Sequence, residues 1–309
     1  MDVVSDAIAA VRIGRPSSNR VRVSGRWCTR FAPYEGAGFH VVLEGCCWLL
    51  PDDGGPPVSL GPGDAVLLPH GTGHVIADSP ADAAAVARAV PFELRPAGTL
   101  PGRAAAAAPG EVEMLCGKYR LDRSRVHPLM LELPKVVHLP NRVGVHPELR
   151  AAISLLGGEL GGEPRPGACM AVPSLLDLLL VYMIRSWMAE GPGGVWSAVL
   201  GDPVAAAALR ALHSDPAAPW TNDRLAAEAG VSRPTLARRF TALVGRPPMA
   251  YLTWWRLTYA ATLLRDTPDP LATIARRVGY GTPYAFSHAF SREFGTTPGR
   301  YRDAVAKAW

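Results

Sequence analysis

The chain has 309 residues, 48% hydrophobic and 19% charged. That composition suits two packed domains at roughly 100–200 residues each and excludes wholesale disorder. The formal net charge of +5 is uneven: residues 1–195 carry 18 basic and 19 acidic groups, net −1, and residues 196–309 carry 14 and 8, net +6. An Arg-rich excess confined to the last third points that third toward a polyanion.

Residues 1–10 contain Asp2 and Asp6 and no basic group, so no signal peptide is read there. The longest apolar run, Leu178–Ile184, falls short of the ~20 residues of a spanning helix. A cytoplasmic chain with no membrane partner is expected. Short apolar runs at Val21–Arg26, Phe39–Glu44, Cys46–Leu50, Pro57–Leu60 and Ala65–Leu68 are separated by breaks such as Asp52-Asp-Gly-Gly-Pro-Pro and Gly61-Pro-Gly-Asp64. They read as strands of a small barrel or sandwich. Within them, Gly63-(x5)-Pro69-x-Gly71-(x2)-His74-(x3)-Asp78 is similar to the second cupin motif, with Asp78 where Asn is usual. His40-x-x-x-Glu44 resembles part of the first motif, with Gly38 where a further His is usual.

The resemblance to cupins implies a pocket-bearing barrel over roughly residues 2–135. Its effector-binding residues would be His40, Glu44 and His74, which would also be the ligands of any divalent metal. His70 and Cys46 lie nearby in sequence. No cofactor is favoured, because relics of a metal site that hydrogen-bond across the barrel mouth account for the same residues. Five cysteines (Cys28, Cys46, Cys47, Cys116, Cys169) without a CxxC pattern read as thiols of a reducing compartment. Cys46 and Cys47 point to opposite faces of a strand, and either one could approach Cys28 or Cys116. Redox sensing is therefore an alternative trigger to a small molecule.

Gly98–Gly110 reads as a surface loop. Leu149–Leu160 is a helix, and a second, capped by Ser174, runs to about Met188 with Leu176, Leu179, Leu180, Met183 and Trp187 at helical spacing. This region is either a cover for the barrel or a homodimer seam. Gly191-Pro-Gly-Gly194 marks a boundary. The expected division is a sensor over 1–140, a helical linker over 141–195 and a DNA-binding domain over 196–309.

The last part repeats itself. Leu225, Ala226 and Gly230 recur 49 residues on as Ile274, Ala275 and Gly279; Leu236, Phe240 and Tyr251 recur 50 residues on as Phe286, Phe290 and Tyr301. Each copy reads as helix–turn–helix, at about 222–243 and 271–294. Thr221 or Asn222 caps the first helix, and Ser232 and Thr282 cap the second helices. Gly230 supplies the turn, and Pro283 stands at a first helical position. A second helix laid in the major groove would present Arg233, Thr235, Arg238 and Arg239 in the first copy, and Tyr284, Ser287, His288 and Arg292 in the second.

The stretch Ile274-Ala-Arg-Arg-Val-Gly-Tyr…Phe286-Ser-His-Ala-Phe290-Ser-Arg-Glu-Phe-Gly-Thr-Thr-Pro298-Gly-Arg-Tyr301 resembles the DNA-binding domain of AraC/XylS transcriptional regulators. The resemblance implies an α+β chain with a cupin-like barrel, then helices, then an all-α domain. That domain would have seven helices, with Met249–Arg265 joining two reading heads about 34 Å apart. It places Thr235, Arg238, Ser287 and His288 at base-reading positions. The implied partners are promoter DNA, a small-molecule effector and a second copy of the chain, with RNA polymerase a further candidate. No catalytic residue is assigned. The rival reading is a metal-dependent cupin enzyme tethered to DNA.

Overall fold

The structure, a computed structural model, describes residues 2–80, 83–94, 111–121, 127–163, 165–190 and 194–307. The loop expected at 98–110 and residues 191–193 of the expected boundary lie outside the described residues. In chain order the elements are α1 (Val3–Val11), β1 (Arg12–Val23), β2 (Cys28–Phe31), β3 (Gly36–Glu44), β4 (Cys47–Pro51), β5 (Val58–Leu60), β6 (Ala65–Leu68) and β7 (His74–Ala77). Next come α2 (Ala83–Ala87), β8 (Val90–Pro91), β9 (Val112–Leu121), α3 (Pro128–Glu132), β10 (Val137–Leu139), α4 (Pro147–Glu159) and α5 (Ala168–Glu190). The remaining helices are α6 (Val195–Gly201), α7 (Pro203–Ser214), α8 (Asn222–Glu228), α9 (Arg233–Val244), α10 (Pro248–Asp266), α11 (Leu271–Arg277), α12 (Pro283–Phe294) and α13 (Pro298–Lys307).

The elements form two units. The first holds residues 13–123 and 133–190. Its strands make two five-stranded sheets, ordered β1-β9-β3-β6-β10 and β5-β4-β7-β2-β8. Val42, Val66 and Met114 of one sheet share a core with Leu49, Leu60 and Ile76 of the other. The first sheet is covered on its outer side as well: α4 brings Gly157 against Leu43, and the Tyr119 hydroxyl donates to the Leu176 carbonyl of α5 at 2.7 Å. With both faces covered, β3 is buried over Gly36–Val42. That explains why its sequence is a continuous apolar run rather than an alternation.

Helix α5 begins earlier than its sequence suggests. Ser174 is not its cap; its hydroxyl donates to the Met170 carbonyl one turn back, at 2.9 Å, and Pro173 is accommodated inside the helix. Over 23 residues α5 is long and apolar enough to cross a membrane by length and composition alone. Here it packs on α4 and β10.

The second unit holds Met1–Arg12, Ser124–Glu132 and Gly191–Trp309. This grouping differs from the 1–140, 141–195, 196–309 division, because α1 packs on α3, α7 and α10 rather than on the strands that follow it. Asp2 starts α1 by accepting from the amides of Val4 (3.1 Å) and Ser5 (3.0 Å). The helix then buries Val3, Ala7, Ile8 and Val11. Helices α7 to α13 are the seven that the resemblance implies. The central α10 buries Leu252, Trp255, Leu263 and Leu264.

Candidate nucleic-acid interface and sensor pocket

The two reading heads form because the local chemistry at each turn agrees. Thr221 accepts from the Arg224 amide at 3.1 Å, and Gly230 takes φ +67° after α8. Gly279 takes φ +81° after α11. A side chain is strained at such φ, so glycine fits both turns. Ser232 and Thr282 start α9 and α12 by accepting from the amides of Thr235 (3.4 Å) and Ala285 (3.1 Å). Leu236, Phe240, Phe286 and Phe290 are fully buried, and Ala226 and Ala275 of the preceding helices are buried too. This fixes which side of α9 and α12 faces out.

The outward residues are not equivalent. Arg233 and Arg238 are exposed and Thr235 is half-buried. Arg238 has no ion pair among the described residues. Arg233 stands 3.7 Å from the exposed Asp223, a weak pair. Arg239 departs from the expectation of a free reading residue, because its guanidinium is bound to Asp202. Asp202 also caps α7 through the amides of Val204 and Ala205, both at 2.9 Å. The Ala205 amide and then the Arg239 guanidinium hold the Asp202 carboxyl below its usual range. On α12, Tyr284 is 82% exposed, His288 and Arg292 are exposed, and Ser287 is half-buried.

Sequence reasoning missed what lies under the first head. Asp6, His127, His213 and Tyr251 form one buried chain of hydrogen bonds. The Leu129 amide donates to His127 Nδ1 at 3.1 Å, which puts the His127 proton on Nε2, 3.2 Å from the Tyr251 hydroxyl. That hydroxyl can then donate to His213 Nε2 at 2.8 Å, and His213 Nδ1 donates to Asp6 Oδ2 at 2.8 Å. Burial, followed by the neighbouring His213, drives the His127 pKa well down. No spacing in the sequence announces this cluster, since Asp6 and His213 are 207 residues apart.

In the barrel, His40 and His74 meet as expected and Glu44 does not. His40 stands on β3 directly opposite Cys116 on β9, and its Nδ1 lies 3.1 Å from Cys116 Sγ. Across the two sheets, His40 Nε2 lies 2.7 Å from His74 Nε2. Glu44 is exposed at the end of β3, beyond a bulge between Val42 and Glu44, where it pairs with Glu113. The extra residue reverses the parity that would have pointed Glu44 inward. His70 is bound to the Leu133 carbonyl at 2.7 Å, Cys46 is exposed, and Asp78 accepts from the Trp27 amide at 3.2 Å.

The barrel relay has a fixed direction. The Thr72 carbonyl can only accept, so His74 Nδ1, 3.0 Å away, carries a proton. Burial pushes the His74 pKa down to about 4, so its ring is neutral and Nε2 accepts. His40 therefore donates from Nε2. Burial, then His74, pushes the His40 pKa well down, so its Nδ1 accepts from the Cys116 thiol. Burial also raises the thiol pKa of Cys116, and raises that of Cys47 to about 12. Both cysteines stay protonated, which is the unreactive form.

This set does not fit a metal. Two nitrogens sharing an ion at about 2.0–2.1 Å each sit more than 3 Å apart in a tetrahedral site, whereas these are at hydrogen-bond distance. Cys116 lies on the far nitrogen of His40, and Glu44 is outside. Among the described residues no three His, Cys, Asp or Glu side chains form a metal-sized group. Next to the relay is a cavity of about 220 Å³ bounded by Phe31, Tyr34, Gly38, His74, Phe92 and Cys116, among others.

Comparison with known proteins agrees with both halves. Residues 2–189 match a cupin family, and residues 225–304 match a helix-turn-helix domain family. Proteins described as AraC-like transcription regulators from Streptomyces antibioticus and Streptomyces lividans are each 35% identical, over 309 and 304 residues, with 98% of both chains covered in each case. The HTH-type transcriptional regulator MtrA of Neisseria gonorrhoeae is 28% identical over 306 residues, again with 98% of both chains covered. With a cupin domain followed by two outward-facing reading heads, the chain belongs to the AraC-type transcription regulators and is a DNA-binding regulator rather than an enzyme.

Proposed function

We propose that a small molecule entering the barrel controls how the two reading heads meet promoter DNA, in a cytoplasmic homodimer that contacts RNA polymerase. The observation that carries this reading is the barrel cavity beside a neutral, hydrogen-bonded His40–His74–Cys116 relay. Such a site is shaped to hold a ligand, and the relay beside it is neutral. The protonated state of Cys47 and Cys116 favours a small molecule over an oxidant, and the 2.7 Å His40–His74 contact favours a metal-free barrel. Arg233 and Arg238 on α9, and Tyr284, Ser287, His288 and Arg292 on α12, are the DNA-facing set, with Thr235 beside them. In this reading Arg239 positions α9 through Asp202 and does not read a base. The exposed apolar side chains Leu155, Met170 and Leu178 on the packed pair α4–α5 support dimerisation there.

Fluorescence anisotropy on DNA upstream of the protein's own gene, against a shuffled control and across a salt series, tests the reading. Tight sequence-dependent binding with a steep salt slope is expected. Equal affinity for both DNAs would remove that site as the operator. Absence of binding at any salt would overturn the assignment of α9 and α12 as reading helices. Sedimentation of Met170→Glu/Leu178→Glu tests the seam: the native dimer is expected to become monomeric.

A further inference from the structure

The cavity beside the relay has a definite chemical character. One wall is three stacked rings: Phe31 lies 4.9 Å from His74 with a 2° interplanar angle, and 4.8 Å from Phe92 at 23°. Facing into the same space is Gly38, which has no side chain. A Cβ there would come within 3.4 Å of the Tyr34 hydroxyl. A stacked wall and a glycine suit a flat molecule. At about 220 Å³ the cavity exceeds the ~150 Å³ apolar cavity that accepts benzene, so it has room for one ring and a small substituent.

The polar groups restrict the ligand further. Every ring N–H of the relay is already given to a partner, and the Cys116 thiol is given to His40. Both imidazoles are neutral. The floor therefore offers an anion neither charge nor a spare donor. The Tyr34 hydroxyl is buried and has no hydrogen-bond partner among the described residues. Burial raises its pKa, so it remains a donor. A buried donor left unpaired is costly unless something fills its place. The two charged residues at the mouth, Glu93 and Lys118, are of opposite sign and both exposed, so the entrance favours neither ionic class.

We propose that this pocket binds a small neutral aromatic molecule with one hydrogen-bond-accepting oxygen, its ring against Phe31 and Phe92 and its oxygen on the Tyr34 hydroxyl. The proposal rests on the reading of the barrel as the sensor and adds the ligand's class.

Calorimetry on the full chain with acetophenone, ethylbenzene and benzoate tests it. Acetophenone supplies a ring and an acceptor, ethylbenzene the same size without one, and benzoate a charge. Saturable binding is expected, with acetophenone about three- to tenfold tighter than ethylbenzene, the ratio of one hydrogen bond, and benzoate weakest. Tyr34→Phe keeps the ring, and it should erase the advantage of acetophenone while leaving the ethylbenzene affinity unchanged. Benzoate binding as tightly as acetophenone, a ratio unchanged in Tyr34→Phe, or no saturable binding of any of the three would overturn the ligand class. Saturating acetophenone should also shift the operator isotherm. Tyr34-dependent binding without that shift would overturn the sensor reading and leave the ligand class standing.

Discussion

The two reading heads descend from one sequence pattern, yet they are held in place by different chemistry. The core of the second is a cluster of rings: Phe286, Phe290, Phe294 and Tyr301 form a chain of ring contacts, with Phe290 and Phe294 stacked at 4.2 Å. The first has Phe240 against Tyr251, and behind Tyr251 lies the relay through His127, His213 and Asp6. Tyr251 and Tyr301 occupy matching places in the repeat. The Tyr301 ring closes an aromatic cluster, while the Tyr251 hydroxyl is tied to residues from α1, α7 and the segment ahead of α3. An apolar core tolerates small adjustments, whereas a buried polar network is satisfied in one arrangement only. The buried network therefore ties the first head to Asp6 and His127, residues from two segments far ahead of it in the chain.

The most direct way to break that difference is to remove one partner of the buried pair. His213→Leu leaves the Asp6 carboxylate, 5% exposed, without its imidazole. Loss of about 3 kcal/mol is expected, the cost of leaving a buried carboxylate without its hydrogen-bond donor, read from the urea unfolding midpoint. Hydrogen exchange should show α7 to α9 losing protection first and α12 last. Equal loss in both heads would mean that the network supports the whole unit. In the second head, Phe290→Ala should cost a comparable ~3–5 kcal/mol through its cavity, with the order of exchange reversed.

On DNA the inequality should run the same way. Arg238 is exposed, cationic and unpaired among the described residues, while its counterpart on α12 is His288, a weaker donor with ordinary exposure. Arg238→Ala is expected to lower operator affinity by about 1–3 kcal/mol, one good base contact, and to reduce the salt slope. His288→Ala should cost less. Arg239→Ala distinguishes a reader from a positioner: with Arg239 bound to Asp202, its loss should lower the stability of α7 and α9 and leave base preference unchanged. Altered base preference in that variant would return Arg239 to the reading face.

Much of the second unit was legible because its signals are local. Thr221, Ser232, Gly230 and Thr282 act within four residues of themselves, and Leu236/Phe240 and Phe286/Phe290 repeat at one helical turn. The barrel was legible as a pattern of apolar runs and through two short motifs that carry His40 and His74. Strand β9 gave no alternating signal because both its faces are covered near Cys116, and the pocket collects residues from 17 to 118 through sheet pairing. Glu44 misled because parity along a strand fails at a bulge. The docking of α1 was invisible, since an amphipathic helix states that it has a buried face but not what covers it.

Acid sharpens the comparison by a smaller amount. His127 has its pKa depressed by burial and by His213, so the unfolded chain, near the ordinary value of 6.5, binds a proton that the folded chain refuses. The stability from His127 is full above about pH 6.5 and falls as pH drops below it, by at most about 1.4 kcal/mol per pH unit. The second head holds one histidine, His288, and it is exposed. Amides of α10 near Tyr251 should therefore exchange faster at pH 5.5 than at pH 7.5 after correction for intrinsic rates, while those of α12 stay level. His127→Phe should flatten the response. The barrel obeys the same sign, with His74 losing its share between about pH 6.5 and 4.

The smallest effect separates the heads at their first residues. The Thr282 hydroxyl accepts from the Ala285 amide at 3.1 Å, whereas the Ser232 hydroxyl accepts from the Thr235 amide at 3.4 Å and meets the Thr235 hydroxyl at 2.9 Å. Thr282→Ala should therefore cost about 1 kcal/mol, a full cap, and Ser232→Ala nearer ~0.5 kcal/mol. On DNA the order should reverse. Ser232 holds the side chain of Thr235, which the proposed reading sets beside the DNA-facing residues, so its loss frees Thr235 to turn. Among the described residues, the side-chain bond of Thr282 goes to a backbone amide and not to another side chain. A Ser232→Ala variant that is nearly as stable as the native chain but discriminates operator from shuffled DNA less well would show that the first head combines its cap with its reading contact. Unchanged discrimination would mean that Thr235 is set by the packing of α9 alone.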